Sequence, residues 1–245
     1  LFSVAKNQKN KMTDLEDLGF YLNINLKNLE NSNNSQLLFT SFLTNLNRIK
    51  KMQSKKKIAI DKNGVRRIVN ILDNNNNNIV HKIENLTKKT DHKNGFFKIN
   101  DQFINRYLEL RNKYENRKNS LNQSLIHEHN HYIWWLNSYN LIEKYYYYNH
   151  KILSIFYHQK IKINKLVYWY GGWMTGEVEP KFFDIILFLK FQINITFKKQ
   201  NLPWIAIIKK KKKFVYLINK KLKFNNIKNK NLINGIKKKF NILEE

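Results

Sequence analysis

The segment of residues 167–192, VYWYGGWMTGEVEPKFFDIILFLKFQ, constrains the fold of this chain more than any other stretch. It contains an aromatic cluster, three of the chain's seven glycines, Pro180 and then a long apolar run. The β-branched content of that run, its length and the preceding proline favour a buried strand over 183–191. Gly171 and Gly172 are predicted to form a tight turn before it, with positive φ at Gly172.

The rest of the C-terminal third continues this pattern. Further strands are predicted at 204–208, entered through Pro203, and at 214–218, and a helix is predicted at the C-terminus. The first two strands are expected to be parallel, with residues 195–200 crossing over between them. The predicted fold is therefore α/β, a layered arrangement with a mostly parallel sheet flanked by helices, a polar insertion and basic loops.

The chain is divided into three parts on its pattern of polarity. Residues 1–78 and 151–245 are predicted to be the two halves of the α/β domain. Residues 79–150 are polar and form a lineage-specific, largely helical insertion between them. Helical spacing is clearest at Leu38, Phe42 and Ile49 in the first part, and around Tyr107 in the insertion.

The charge of the chain indicates its class of partner. Forty-five Lys and Arg residues face eighteen Asp and Glu, which gives a formal net charge of +27. Lysines that neutralise phosphates release counterions and give strong, salt-dependent affinity, so a polyanionic partner is predicted. Arginine is absent after Arg117, and residues with A+T-rich codons dominate, which is typical of the genomes of organelles and some parasites. The apolar run carries Asp184 and Lys190 and is about half a membrane span, so no spanning helix is predicted.

Two other patterns suggest different chemistry. His127, Glu128 and His131 satisfy the H-E-x-x-H spacing of zinc hydrolases, in which two histidines bind the metal and the glutamate polarises a water. A polar helix start explains the same residues without a metal. The run of tyrosines at 145–148, together with Trp134 and Trp135, would stack on exposed bases if the rings are exposed. No cysteine and no glycine-rich phosphate loop is present.

Five segments in the same order resemble one known family. The segment YWYGGWMTG is similar to the RW-x-GG-x-LTN signature of the small-subunit ribosomal protein S-two family. Pro180 with DII and then LPWIAII resemble the strands that follow in that family, as does FVYLIN. Upstream, LEDLGFYLN and KKKIAIDKNGVRRIVNI are similar to its N-terminal motif and hairpin. The long helical hairpin and the acidic Pro-Gly turn of the family have no counterpart here.

The resemblance implies a structural constituent of an organellar small ribosomal subunit, in the mitochondrion, that takes part in translation. Its expected partners are the ribosomal RNA of the small subunit and neighbouring ribosomal proteins. No enzymatic activity, cofactor, metal, membrane or small-molecule substrate is expected. The alternatives are a zinc-dependent hydrolase that uses the HEHNH segment and a free RNA-binding accessory factor.

Loops at a strand end and around a predicted turn are expected to carry the RNA contacts, because loops protrude from a rigid sheet. The predicted RNA-binding residues are Lys55, Lys56, Lys57, Arg66, Arg67, Lys209, Lys210, Lys211, Lys212 and Lys213.

Overall fold

A five-stranded mixed sheet lies at the centre of the computed structural model. The structure describes residues 2–3, 22, 24–25, 32–54, 94–138, 140–149, 152–176, 181–208 and 213–242. The strands are β1 (Phe2–Ser3), β2 (Ile24–Asn25), β3 (Gly95–Lys98), β4 (Ile142–Asn149), β5 (Ile152–Ile163), β6 (Leu166–Thr175) and β7 (Trp204–Ile205). The helices are α1 (Ser32–Thr44), α2 (Leu46–Ser54), α3 (Ile104–Asn112), α4 (Tyr114–Lys118), α5 (Glu128–Asn137), α6 (Phe182–Lys199), α7 (Lys213–Lys221) and α8 (Lys230–Phe240).

The sheet is ordered β3-β4-β5-β6-β7, and its first three pairings are antiparallel. Within this sheet only β6 and β7 pair in parallel, through Trp169 with Trp204 and Tyr170 with Ile205. Strands β1 and β2 form a separate parallel pair. The prediction of a mostly parallel sheet is therefore wrong. Strands β5 and β6 follow each other through a two-residue turn in which Asn164 and Lys165 both have positive φ, the geometry of a tight hairpin.

Residues 183–191 and 214–218 are helical, not strands as predicted. They belong to α6 and α7, and of the strand predicted at 204–208 only 204–205 is a strand. The buried positions on α6 are Ile185, Ile186, Phe188, Gln192 and Thr196, which recur with the period of a helix. The ten-residue apolar run hides this period, because exposed Phe183 and Leu187 are as apolar as the buried residues beside them.

Two helical layers cover opposite faces of the sheet. Ile155 of β5 is buried in a cluster with side chains of α3 and α5, whereas the next residue, Phe156, is buried against α6 through a stacked contact with Phe188. Successive strand side chains alternate between faces, so these neighbours fix which helices lie on which side. Ile163 is an even number of residues from Ile155 in β5, so its side chain lies on the same face of the sheet. It packs with Ile236, which places α8 on the face that α3 covers.

Gly171 and Gly172 lie within β6 and do not form a turn. Neither has positive φ, so the predicted reason for these glycines is wrong. A Cβ on Gly171 would lie 2.2 Å from the backbone oxygen of Tyr157 on the paired strand. A Cβ on Gly172 would lie 2.9 Å from the Tyr157 hydroxyl. The pair is therefore required by close approach of neighbouring groups.

The predicted domain boundary at residue 150 falls between β4 and β5. These two strands pair over eight positions, from Ile142 opposite Gln159 to Asn149 opposite Ile152. Strands on both sides of the boundary thus contribute to one sheet.

Candidate nucleic-acid interface

The C-terminal quarter of the chain is cationic and almost free of carboxylates. Residues 185–243 contain sixteen lysines and no Asp or Glu. The acidic residues that the structure describes are all earlier in the chain: Asp101, Glu109, Glu115, Glu128, Glu143 and Asp184. Cationic side chains without neighbouring carboxylates create a positive potential that attracts a polyanion.

Lysines of this segment concentrate where helices end. The last turn of α6 carries Lys198 and Lys199, that of α7 carries Lys220 and Lys221, and that of α8 carries three lysines at 237–239. Cations at a helix C-terminus interact favourably with the partial negative charge of the unpaired carbonyl groups. Most of these lysines are exposed, so the same positions place ammonium groups at the surface.

One of these lysines is committed to a carboxylate. Lys199 forms an ion pair with Glu143 of β4, which also accepts a hydrogen bond from the Tyr145 hydroxyl. Although burial opposes it, these bonds and charges hold the pKa of Glu143 below its usual value. Glu143 Oε2 also lies 3.7 Å from Nε2 of buried His158. Lys199 therefore links α6 to the sheet, and its charge is neutralised by Glu143.

The predicted RNA-binding residues fall almost entirely outside the described residues. Lys213 is the exception, and it is exposed as the first residue of α7. The others are Lys55, Lys56, Lys57, Arg66, Arg67, Lys209, Lys210, Lys211 and Lys212. Their role in RNA binding therefore stays a prediction.

The tyrosines and tryptophans predicted to stack on bases are buried or partly buried. Tyr147 and Trp135 are buried, and Tyr146 stacks on Phe103. The ammonium of buried Lys144 lies 4.8 Å from the Trp134 ring and 4.6 Å from the Trp135 ring. Burial lowers the pKa of Lys144 to about 8. The faces of these tryptophans are thus already occupied by a cation of the same chain.

The HEHNH segment lies at the start of α5, as expected for a polar helix start without a metal. His131 is buried, and its Nε2–H donates to the carbonyl oxygen of Ile104 at 2.8 Å. Burial lowers the pKa of His131 to about 4, so its ring is neutral at pH 7. Among the residues that the structure describes, no three His, Asp or Glu side chains come together to hold a metal ion. The zinc-hydrolase alternative therefore has no set of ligands there.

A cavity of about 890 Å³ opens where β7 parts from β6. Its lining includes Arg111 and Tyr157 from the α3 side of the sheet and Leu189 and Gln192 of α6 from the other side. The cavity therefore runs through the gap between the two strands. Beyond Tyr170, the residues of β6 pair with β5 alone, so one edge of β6 faces the cavity.

The polar groups at this cavity are mostly neutral. Burial raises the pKa of Tyr157. Burial also raises the pKa of Tyr170, with a smaller contribution from the neighbouring Tyr157. Both phenols therefore keep their protons. Arg111 Nη2 donates to the Asn122 carbonyl oxygen at 2.6 Å, whereas its Nη1 is buried without a hydrogen-bond partner. Burial lowers the pKa of Arg111 from its usual value.

Sequence reasoning missed one exposed surface of α6. A buried strand over 183–191, as the sequence predicts, is not compatible with the exposure of Phe183 and Leu187, and Phe197 of the same helix is exposed as well. The spacing of Phe183, Lys190 and Phe197, seven residues apart, was the signal that would have revealed it.

No helix in the described parts of the chain has both the length and the apolar character needed to cross a membrane. No protein family model matches the chain, and no curated protein matches it. One solved structure to which part of this chain is similar is a crystal structure of a predicted acetyltransferase from Clostridium acetobutylicum with acetyl-CoA. It is 14% identical, with a TM-score of 0.43, and the match covers 55% of this chain and 91% of that one. A likeness at this level assigns neither a fold family nor an activity.

Proposed function

We propose that this chain is an RNA-binding structural component of the small subunit of an organellar, mitochondrial ribosome, and that it performs no chemistry itself. The observation that carries the proposal is the run of residues 185–243, with its sixteen lysines and no carboxylate. Such a segment would repel itself unless a polyanion neutralised it. Ribosomal RNA supplies phosphates at a density that suits this requirement.

The helix ends are the proposed points of phosphate contact. Lys220, Lys221, Lys238 and Lys239 are exposed in the last turns of α7 and α8. Side chains on helices packed against a sheet have a defined position, so they would fix the orientation of the RNA backbone without reading its bases. This role is scaffolding, in which affinity comes from charge and placement comes from the fold.

The ribosomal assignment rests on the sequence resemblance and on the A+T-biased composition, and the RNA-binding part rests on the charge. The two parts rest on different evidence. The strands that the resemblance implied at 183–191 and 214–218 are helices, which bears on the ribosomal assignment and not on the charge. RNA binding without ribosome association would point to the free accessory factor named among the alternatives.

Salt dependence tests the RNA-binding part. We expect the chain to bind a ribosomal RNA fragment with an affinity that falls steeply as salt rises. Replacing Lys238 and Lys239 together with Gln should reduce the slope by about one unit for each phosphate contact that is lost. The matched control is Lys118→Gln, since Lys118 is already ion-paired with Glu115. Affinity independent of salt, or an equal effect of the control, would contradict the proposal.

Sedimentation tests the ribosomal part. The chain should migrate with small ribosomal subunits from organelles in a gradient, at a ratio near one, and should remain there at moderate salt. A chain that binds RNA but sediments apart from the subunit would contradict the ribosomal assignment and leave RNA binding intact.

A second candidate function, binding of a small molecule, is favoured by the cavity between β6 and β7. Its volume of about 890 Å³ lies within the range of ligand sites. The edge of β6 that faces the cavity suits an extended ligand with amide groups, because such a ligand would form hydrogen bonds with the backbone of the strand. Native mass spectrometry of the purified chain should then show a retained ligand, and Ala206→Trp, at an exposed residue of the lining, should abolish it. A mass equal to that of the bare chain contradicts this candidate.

A further inference from the structure

One side of α6 exposes aromatic rings in line with a lysine. Phe183, Lys190 and Phe197 follow each other at intervals of seven residues, about 10 Å along the helix axis. The side chains of Phe183 and Phe197 are 78% and 57% exposed. Leu187 and Asn194 lie between them and are exposed as well. This side of α6 therefore presents two exposed rings and Leu187 to solvent, interrupted by Lys190 and Asn194.

The exposed side of α6 carries no carboxylate. The single acidic residue of this helix, Asp184, accepts a hydrogen bond from Asn149 of β4 at 2.9 Å. Asp184 is therefore engaged with the sheet, on the buried side of the helix. A negatively charged partner can approach the exposed side without meeting a like charge from α6.

The same character continues onto α7. Phe182 stands edge-on to the ring of Phe214, with 5.8 Å between the ring centroids, so the N-terminal ends of the two helices touch. On α7, Tyr216 is 53% exposed and lies between Lys213 and Lys220, at three and four residues' distance along the helix. Both helices thus present rings flanked by ammonium groups.

We infer that this surface binds unpaired bases of RNA by stacking. We name it the aromatic–lysine face, and it consists of Phe183, Lys190, Phe197, Lys213, Tyr216 and Lys220. Rings that stack on bases, beside cations that hold the phosphates, are how proteins bind single strands with little sequence preference. The inference rests on the proposed function and adds the class of RNA, since stacked bases inside a duplex cannot reach these rings.

The alternation of residues favours RNA over a lipid surface. An interfacial helix buries a continuous apolar face in the membrane. On α6 the polar side chains of Lys190 and Asn194 stand within the exposed stripe, so the apolar groups are separated. Separate rings suit separate bases, whereas a membrane would have to accommodate the polar groups between them.

The test compares single-stranded with duplex RNA. Dissociation constants are measured by fluorescence anisotropy at one salt concentration for a 12-nucleotide single strand and for the same strand in a duplex. Phe183→Ala and Phe197→Ala should each weaken single-strand binding about tenfold and leave duplex binding unchanged. Leu187→Ala is the matched control, because it removes an exposed apolar group without a ring from the same stripe. Thermal unfolding of each variant checks that the fold is intact.

A tryptophan at the same position gives an independent signal. Phe183→Trp should retain single-strand affinity, and its emission should be quenched by the single strand but not by the duplex. Equal weakening for both RNAs, or no weakening while the wild type binds both, would overturn the stacking inference and leave the proposed function standing. Stronger binding to vesicles of phosphatidylserine than to the single strand would also overturn it. A wild type that binds neither RNA would overturn the proposed function itself.

Discussion

The side-chain amide of Asn116 takes the place of a strand partner for Thr175, the last residue of β6. Its Oδ1 accepts a hydrogen bond from the Thr175 N–H at 3.1 Å, and its Nδ2 donates to the Thr175 carbonyl oxygen at 2.8 Å. An amide side chain offers the same donor and acceptor as a peptide group. Asn116 therefore closes the free edge of β6 at the far end of the cavity.

Replacing Asn116 with Ala should lower the free energy of unfolding by about 1–3 kcal/mol, because it removes the hydrogen bonds to both backbone groups of Thr175 and the one that Nδ2 donates to the Leu110 carbonyl oxygen. Urea unfolding measures the change. Asn119→Ala is the control, since Asn119 is exposed and its side chain donates a hydrogen bond to the nearby Glu115 carbonyl oxygen. Equal losses in the two variants would show that the contact with Thr175 contributes nothing particular.

Removing the Asp101 carboxylate should destabilise the contact between α2 and α5. Asp101 accepts hydrogen bonds from Arg48 Nε at 2.7 Å and from Trp135 Nε1 at 2.9 Å. Trp135 is buried, and the side chains of Arg48 and Asp101 are partly buried. We expect Asp101→Ala to cost about 2–3 kcal/mol in urea unfolding, because two donors lose their acceptor. Glu115→Ala breaks the exposed pair with Lys118 and should cost less than about 0.5 kcal/mol. A small loss for Asp101→Ala would contradict this view of the contact.

The two strand glycines should differ in their tolerance of a methyl group. Gly171→Ala places Cβ 2.2 Å from a backbone oxygen, whereas Gly172→Ala meets the hydroxyl end of the Tyr157 side chain. A side-chain end moves more readily than a paired backbone, so Gly171→Ala should be the more destabilising, by about 1–3 kcal/mol in thermal unfolding. The reverse order would show that the phenol is held more rigidly than the strand.

The pH dependence of stability should carry the signature of buried neutral histidines. Burial lowers the pKa of His131 to about 4 and also lowers that of His158 below its usual 6.5. Below pH 6.5 the unfolded chain therefore binds protons that the folded chain does not. The contribution of these residues to stability is complete above pH 6.5 and is lost as the pH falls toward 4.

Replacing His158 with Phe should flatten this profile. Both ring nitrogens of His158 are buried without hydrogen-bond partners, and the ring lies among Tyr145, Trp169 and Trp204. The variant should be at least as stable as the wild type at pH 7, and its loss of stability between pH 6.5 and 4 should be shallower by up to about 1.4 kcal/mol per pH unit. A wild-type slope in the Phe variant would contradict the assignment.

Five adjacent lysines, residues 209–213, provide the remaining test of RNA binding. Replacing all five with Gln should weaken binding almost equally for a matched and a scrambled RNA, because phosphate contacts carry no sequence information. The measurement is the dissociation constant for both RNAs over a range of salt. A loss confined to one sequence would indicate that the lysines read bases, and no loss would show that RNA contacts other residues.

Local patterns predicted much of the helical structure. Leu38 and Phe42 of α1 pack in a hydrophobic cluster, and α8 appears where the terminal helix was predicted. In each case the apolar residues recur every three or four positions with polar residues between them, so the period is visible in the sequence. The run at 183–191 lacked that contrast, and its helix could not be distinguished from a strand by its residues alone.

The sequence by itself determined the charge of this protein and the position of that charge along the chain, because ionisable residues and their order need no fold to be counted. It also determined the amphipathic helices, whose period is local. The tertiary structure decided the direction of the strands, the through-sheet cavity and the burial of His158. These features depend on which distant segments meet, such as Asn116 with Thr175 or Phe188 with Phe156. Contacts of that kind are set by packing among several elements, and no single stretch of sequence encodes them.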